Sequence, residues 1–221
     1  MTGLLTREAM RLHAIVDVDV ATRAGWTPVD LAAACLRGGA RLIQVRAKSL
    51  PGGALLELAS RIHALAAAAG ALVIVNDRAD LAKLAGAEGV HVGQDDLPPA
   101  SARLMLGPDA LVGLSTHSDE QVERAVGEPI SYLAIGPVFA TSTKSTACAA
   151  VGLDGVRRAA AIAQRHGMRV VAIGGITLGR AAEVVNAGAD GVAVISDLIE
   201  DGQPEARTRA YVERLEEAGK V

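Results

Sequence analysis

The chain has 221 residues, of which 50% are hydrophobic, 21% charged and only 2% aromatic, and its net charge is −3. This composition fits one globular domain and excludes two classes of nucleic-acid binder. Four aromatic residues are too few for the stacking surfaces of single-strand binders. A mildly acidic chain also lacks the broad basic face that duplex binding needs. We therefore expect small-molecule partners and no nucleic acid.

No segment has the character of a membrane span or an export signal. The longest apolar stretch, Ala64–Val75, has 12 residues and is interrupted by Gly70, whereas a spanning helix needs about 20. The first residues include charged side chains and no apolar run before a cleavage site. Cys35 and Cys148 are far apart and indicate neither a disulfide framework nor a zinc site. We expect a cytoplasmic protein, and the pattern carries no signal for an oligomeric state.

Short apolar runs alternate with segments of helical periodicity along the chain. The predicted strands are Leu12–Val16, Arg41–Val45, Leu72–Val75, Val90–Val92, Leu111–Leu114, Tyr132–Ile135, Arg169–Ile173 and Gly191–Ile195. Helix-start residues such as Thr27, Ser118 and Thr177 precede helical segments, and glycines follow them. Eight strand–helix units predict an α/β fold, the (β/α)8 TIM barrel, as a single domain over residues 1–221. An open doubly wound sheet is the alternative, because it shows the same alternation.

One loop is longer than the others. Residues 136–152, between the sixth strand and the next helix, are rich in Thr, Ser, Ala and Gly. In a barrel the loops that follow the strands form the catalytic face. Long loops at that face can close over a substrate. We therefore interpret this segment as a candidate lid.

Polar residues concentrate after strands two to four. Asp77 and Asp96 end two adjacent predicted strands, so their carboxylates can converge on one divalent cation. Because no Cys/His cluster accompanies them, they indicate Mg²⁺ rather than zinc. An amide and three cations complete the group, namely Gln44, Arg46, Lys48 and Lys144. Such a group suits a diphosphate leaving group. The alternative is that each aspartate only caps a helix.

A second anion site is predicted after strands seven and eight. The pairs Gly174–Gly175 and Ile195–Ser196 stand where barrels commonly bind phosphate through backbone amides. The alternative is that these glycines only form tight turns. Two anion sites indicate that a phosphorylated nucleophile displaces pyrophosphate, with positioning and electrostatics supplying the rate.

Six motifs at these strand ends occur in one order along the chain. They are Gln44-x-Arg46-x-Lys48, Asn76-Asp77-Arg78-Ala79-Asp80, Gly89-Val90-His91-Val92-Gly93-Gln94-x-Asp96, Gly113-x-Ser115-x-His117, Gly136-Pro137-Val138-Phe139-x-Thr141-x-Thr143-Lys144 and Ala172-Ile173-Gly174-Gly175-Ile176. With this order, the chain from Leu12 to Ser196 resembles the thiamine phosphate synthase family.

The resemblance implies a barrel enzyme that joins 4-amino-2-methyl-5-pyrimidinylmethyl diphosphate to thiazole phosphate. It implies Mg²⁺ as cofactor, thiamine phosphate and pyrophosphate as products, and a dissociative reaction in which pyrophosphate leaves first. The pyrimidine diphosphate would be held by Gln44, Arg46, Lys48, Asn76, Ser115 and Lys144. Of these, the catalytic residues would be Arg46, Lys48, Ser115 and Lys144. The thiazole phosphate would be held by Thr141, Thr143, Gly175, Ile195 and Ser196, and the metal by Asp77 and Asp96.

The sequence departs from the family pattern at a few positions. Ala47 stands where the family usually has an acidic residue, His13 where it often has Tyr, and residues 145–150 contain no proline.

Two other functions are compatible with many of these sequence features. One alternative is the related thiazole tautomerase, an isomerase in which the histidine equivalent to His117 transfers a proton. The other is a non-catalytic barrel that binds thiazole or thiamine phosphate. Asp96, Thr143 and Lys144 argue against the tautomerase, which has no use for a metal-bound diphosphate. The carboxylate pair Asp77 and Asp96 argues against the non-catalytic barrel, because a binding protein gains little from it.

Overall fold

In this computed structural model we describe residues 6–141 and 149–218. They form eight parallel strands that close into a barrel in sequence order, each paired with its neighbours and β8 paired with β1. The strands are β1 (Leu12–Asp17), β2 (Leu42–Arg46), β3 (Leu72–Asn76), β4 (Gly89–Val92), β5 (Leu111–Thr116), β6 (Tyr132–Ile135), β7 (Arg169–Ile173) and β8 (Gly191–Val194). The predicted TIM barrel is confirmed, and the open-sheet alternative is wrong.

The helices lie between the strands in the chain. They are α1 (Arg7–Arg11), α2 (Val18–Arg23), α3 (Pro28–Arg37), α4 (Gly52–Ala68), α5 (Ala79–Ala85), α6 (Pro99–Leu106), α7 (Asp119–Ala125), α8 (Gly152–Gln164), α9 (Leu178–Asn186) and α10 (Pro204–Ala218), with a short 3-10 helix at Ser196–Leu198. None of the helices in the described ranges is both long and apolar enough to cross a membrane.

Two hydrophobic cores follow from the alternation of side chains along each strand. Inward residues such as Ile15, Leu42 and Ile74 fill the barrel. Outward residues pack against the alanine-rich inner faces of the helices, as Val45 does in the same cluster as Ala59. Small side chains on the helices permit close approach to the sheet, which accounts for the many buried alanines.

The helix starts were predicted with mixed success. Thr27 and Ser118 cap α3 and α7 as expected, because each side chain accepts a backbone N–H three residues on. Thr177 occupies the N-cap position of α9, but its side chain makes no capping hydrogen bond. The Leu178 N–H donates instead to the Asp197 carboxylate at 3.1 Å. A residue distant in sequence therefore caps α9.

The two described ends of the 136–152 loop are joined to one another. The Val151 N–H donates to the Pro137 carbonyl at 2.8 Å, and the Gly152 N–H to the Val138 carbonyl at 3.0 Å. The loop therefore leaves and re-enters the barrel rim at one place. Residues 142–148, and with them the predicted site residues Thr143 and Lys144, lie outside the described residues.

Candidate active site

A cavity of about 320 Å³ opens at the carboxyl ends of the strands. It is lined by the predicted residues Ser115, Thr141, Gly175, Ile195 and Ser196, together with His117. These residues come from the last residues of β5 and from the loops after β5, β6, β7 and β8, and the closed barrel brings them together. The cavity therefore lies where barrel enzymes place their chemistry.

The glycines after β7 are required by their backbone conformation and by a neighbouring loop. Gly174 and Gly175 have φ angles of +100° and +63°, which favour glycine. A Cβ on Gly175 would lie 2.7 Å from the Ala140 carbonyl oxygen, and one on Gly174 would lie 2.6 Å from the Pro137 Cα. The Phe139 N–H also donates to the Gly174 carbonyl at 3.0 Å. These glycines let the loops after β6 and β7 meet at the cavity wall.

A buried carboxylate holds the two phosphate-side loops together. Asp197, directly after Ser196, accepts hydrogen bonds from the Leu178 N–H of α9, from the Arg207 guanidinium and from the Tyr211 hydroxyl. Burial and contact with Asp197 raise the pKa of Tyr211, so its hydroxyl keeps its proton and donates. The loops after β7 and β8 are thus fixed to each other and to α10. Sequence reasoning assigned Asp197 no role, although this residue directly follows the predicted site residue Ser196.

On the opposite side of the mouth, the predicted cations are paired with carboxylates. Arg46 forms an ion pair and a hydrogen bond with Asp17, a residue at the end of β1 that is only 3% exposed. Lys48 pairs with Asp77 at the end of β3. Asp17 also accepts from the Val20 N–H at 3.0 Å, so it is itself held in place. Sequence reasoning missed Asp17, although it is the residue that directly follows the predicted first strand.

Asp77 and Asp96 face each other, and neither caps a helix. The N-cap positions of α5 and α6 are Arg78 and Pro98, so the capping alternative is wrong for both aspartates. Burial raises the pKa of Asp77, the hydrogen bond from Lys48 opposes that rise, and the nearby Asp96 carboxylate adds to it. Asp77 also has a φ of +65°, the one positive φ found at a described residue other than glycine. Such backbone conformations concentrate at functional sites.

This arrangement fits a magnesium ion. Among the described residues of this group, Arg46 and Lys48 face three carboxylates, those of Asp17, Asp77 and Asp96, which gives these five side chains a formal net charge of −1. A diphosphate alone would be repelled by that charge, whereas a divalent cation would reverse it. Two carboxylate oxygens, with further positions left to water and substrate oxygens, form a typical Mg²⁺ donor set. The described residues contain no group of three or more His, Cys, Asp or Glu that could hold a metal ion, so water and substrate oxygens would have to complete the coordination here.

The remaining predicted residues line the barrel interior between the two sides. Gln44 is 3% exposed, and its side-chain carbonyl has no hydrogen-bond partner among the described residues. Asn76, at the end of β3, is also buried. The Ser115 hydroxyl lies 2.8 Å from His91 Nε2, and Gln94 Nε2 donates to the Ser115 carbonyl at 2.6 Å. Residues of β2, β3 and β5 thus share the barrel interior.

His117 has a defined tautomer in the cavity wall. Its Nδ1 lies 2.6 Å from the Gly136 carbonyl oxygen, and a carbonyl only accepts, so Nδ1 carries the proton. Its backbone N–H donates to the Gln121 side chain at 2.7 Å. His117 therefore fixes the start of the loop after β6.

The comparisons with known proteins agree with this geometry. The family model described as thiamine monophosphate synthase matches residues 12–198. The chain belongs to the thiamine monophosphate synthase family. Members of this family condense a pyrimidine and a thiazole moiety, and the chain is accordingly a transferase of thiamine biosynthesis.

Individual relatives support the synthase assignment. The chain is 47% identical over 197 residues to the thiamine-phosphate synthase of Anaeromyxobacter dehalogenans, covering 89% of this chain and 86% of the relative. It is 45% identical over 194 residues to the bifunctional thiamine biosynthesis protein ThiM/ThiE of Symbiobacterium thermophilum, covering 88% of this chain and 40% of that longer protein. The solved thiamine phosphate pyrophosphorylase of Pyrococcus furiosus superposes with a TM-score of 0.85 at 32% identity, covering 96% of this chain and 98% of that one.

Proposed function

We propose that this enzyme joins 4-amino-2-methyl-5-pyrimidinylmethyl diphosphate to thiazole phosphate in a Mg²⁺-assisted dissociative displacement. The bond between the methylene carbon and the diphosphate oxygen breaks first, and its electron pair leaves on pyrophosphate. The lone pair of the thiazole nitrogen then forms the new carbon–nitrogen bond. The observation that supports this proposal is that one barrel mouth holds both the ion pairs of Arg46 and Lys48 and a cavity lined by glycines and hydroxyls.

The pyrimidine diphosphate occupies the charged side in this proposal. Arg46 and Lys48 supply positive charge to the diphosphate oxygens, and Lys144 is predicted to join them. The buried Gln44 carbonyl accepts a hydrogen bond from the amino group of the pyrimidine, which satisfies an acceptor that otherwise carries a desolvation cost. Asn76 and Ser115 contact the same substrate from the ends of β3 and β5.

Asp77 and Asp96 hold the magnesium ion in this proposal. When bound, Mg²⁺ supplies positive charge that stabilises the departing pyrophosphate. Lys48 already contacts Asp77, so its ammonium group lies beside the proposed metal and the leaving group. The charge that develops on pyrophosphate is thereby met by groups already in place.

The thiazole phosphate occupies the cavity side. The close approach of the glycine loop after β7 leaves room for backbone amides to face the phosphate, and Ser196 adds a hydroxyl. Thr141 and Ile195 contact the thiazole from the loops after β6 and β8, and Thr143 is predicted to join them. The thiazole nitrogen is thus presented toward Ser115 and the pyrimidine.

The direct test is pyrophosphate release by the purified protein. We expect release only when both substrates and Mg²⁺ are present, and none after chelation of the metal. Interconversion of thiazole isomers without pyrophosphate would identify a tautomerase instead. Calorimetric binding of the pyrimidine diphosphate that is independent of Mg²⁺ and leads to no turnover would identify a non-catalytic binding protein.

A further inference from the structure

A column of three polar side chains runs through the barrel beneath the active site. Ser115 lies at the mouth, His91 of β4 below it, and Tyr132 of β6 deeper still. His91 Nε2 is 2.8 Å from the Ser115 Oγ, and His91 Nδ1 is 2.9 Å from the Tyr132 hydroxyl oxygen. His91 and Tyr132 are 6% and 1% exposed, and their rings stack with centroids 5.6 Å apart. The column connects the active site to the barrel interior.

The neighbouring strand β5 leaves space for this column. Gly113 stands two residues before Ser115, at a position that alternation directs into the barrel. A Cβ there would lie 2.3 Å from Tyr132 Cζ and 2.5 Å from His91 Nδ1. Any larger residue would push the imidazole and the phenol apart. The glycine therefore permits the His91–Tyr132 hydrogen bond.

The direction of the hydrogen bonds follows from Tyr132. Burial raises the pKa of its phenol, so the hydroxyl keeps its proton. Among the described residues that hydroxyl makes one hydrogen bond, to His91 Nδ1, and a buried O–H left without an acceptor is costly. The phenol therefore donates to Nδ1, and the neutral imidazole carries its proton on Nε2. Burial also lowers the pKa of His13, whose ring makes a T-shaped contact with Tyr132, to about 3, so His13 adds no charge beside the phenol.

This direction determines what Ser115 offers to the cavity. With His91 Nε2–H donating to the Ser115 Oγ, the hydroxyl proton of Ser115 is left for an acceptor atom in the cavity. With the opposite tautomer, that proton would be held by Nε2 and only the oxygen would face the substrate. The imidazole thus selects between a donor and an acceptor at the reaction site.

We propose that His91, held by Tyr132, is a positioning residue that presents the Ser115 hydroxyl as a hydrogen-bond donor to the pyrimidine diphosphate. The inference rests on the proposed function, because it acts through the predicted role of Ser115. His91 contacts no substrate itself. Its effect is to hold the Ser115 hydroxyl in one orientation. Groups at a catalytic site must be held to within a fraction of an ångström to act productively.

The kinetic test compares two amides at position 91. A glutamine can place an N–H near the position of Nε2, whereas an asparagine reaches only that of Nδ1. We expect His91→Asn to lower kcat about 10- to 100-fold, His91→Gln to recover most of it, and neither to change the KM for thiazole phosphate. In a Ser115→Ala background, His91→Asn should cause no further loss.

Four kinetic outcomes would overturn the inference. The first is that His91→Asn lowers kcat by the same factor in the unmodified protein and in the Ser115→Ala background. The second is that His91→Asn and His91→Gln lower kcat equally. The third is normal turnover by Ser115→Ala, which would also remove the role of Ser115 from the proposed function. A large loss in Ser115→Ala beside normal turnover in His91→Asn overturns the inference alone.

Nitrogen NMR of histidine-labelled protein tests the tautomer without any turnover. We expect the His91 ring, assigned by its loss in His91→Gln, to be neutral with the proton on Nε2. In Tyr132→Phe we expect a smaller fraction of the His91 ring to carry its proton on Nε2, because the hydroxyl that donates to Nδ1 is absent. A proton on Nδ1 in the unmodified protein would contradict the inference, even if His91→Asn proved too unstable to assay.

Discussion

The two sides of the barrel mouth offer different kinds of atoms to an anion. At the ends of β1 to β4 the groups are charged side chains, with Arg46 and Lys48 each paired to a carboxylate. At the ends of β6 to β8 most of the cavity wall is glycine backbone, small residues and hydroxyls, although Arg180 and Glu200 also line it, and the Asp197 carboxylate contacts Arg207. We therefore expect the first side to act mainly through paired charges and the second mainly through shape.

The difference teaches how one small barrel can handle two phosphorylated molecules in different ways. A leaving group gains negative charge as its bond breaks, and we expect Arg46 and Lys48, beside the proposed metal site, to stabilise that charge. A nucleophile that keeps its phosphate needs only to be held, and fixed amides do that without reorganisation. We therefore expect substitutions on the charged side to lower kcat most, and substitutions on the cavity side to raise the KM for thiazole phosphate most.

The largest effect is expected from Asp96→Ala on the charged side. Loss of a carboxylate from the proposed metal site should lower kcat about 10³-fold, while calorimetric binding of thiazole phosphate stays near normal. The exposed neighbour supplies the control, since Asp95→Ala should retain full turnover. Equal loss of turnover and of thiazole phosphate binding would show that Asp96 is structural.

Asp17→Asn should reduce stability on the same side. The substitution leaves the Arg46 guanidinium partly buried without its counter-charge, which we expect to lower the free energy of unfolding by about 3 kcal/mol. Urea denaturation measures that loss, and the KM for pyrimidine diphosphate should rise because Arg46 is no longer held. Unchanged stability would mean that Arg46 finds another partner.

Gly175→Ala tests the dependence on shape. The φ of +63° and the 2.7 Å approach to the Ala140 carbonyl leave no room for a methyl group. We expect the KM for thiazole phosphate to rise about 100-fold with binding of pyrimidine diphosphate unchanged. Gly179→Ala, at a helical position with open space around the added Cβ, is the matched control. A loss confined to kcat would contradict the separation of the two sides.

The smallest effect is expected from Tyr211→Phe, behind the cavity wall. It removes one of the hydrogen bonds to Asp197 and leaves the Arg207 pair in place. We expect a loss of about 1 to 3 kcal/mol of stability, because the buried bond involves a charged acceptor, and a KM for thiazole phosphate raised less than in Gly175→Ala. Thermal unfolding and initial rates measure both. If Tyr211→Phe raised the KM for thiazole phosphate more than Gly175→Ala does, the proposed ranking of the two residues would be wrong.

Much of the site was predictable because chemistry in a barrel follows strand ends. Asp77, Asp96, Ser115 and Ser196 all lie there, and counting strands was enough to locate them. Residues that act by positioning another side chain were harder to predict from the sequence. Asp17 follows the same rule and could have been found, but its pairing with Arg46 depends on the register of β1 against β2. The His91–Tyr132 hydrogen bond joins residues 41 positions apart, and no motif of the sequence contains both of them.

The sequence by itself determined the eight strand–helix units, the order of the motifs and the chemical types at each strand end. It could do so because strand length, helix caps and alternation are local properties of the chain. Only the tertiary structure decided that Asp77 and Asp96 are not caps, that Asp197 rather than Thr177 caps α9, and that Gly113 makes room for a histidine and a tyrosine. Those outcomes depend on which strands become neighbours when the barrel closes, because distances between residues far apart in the chain are set by that closure.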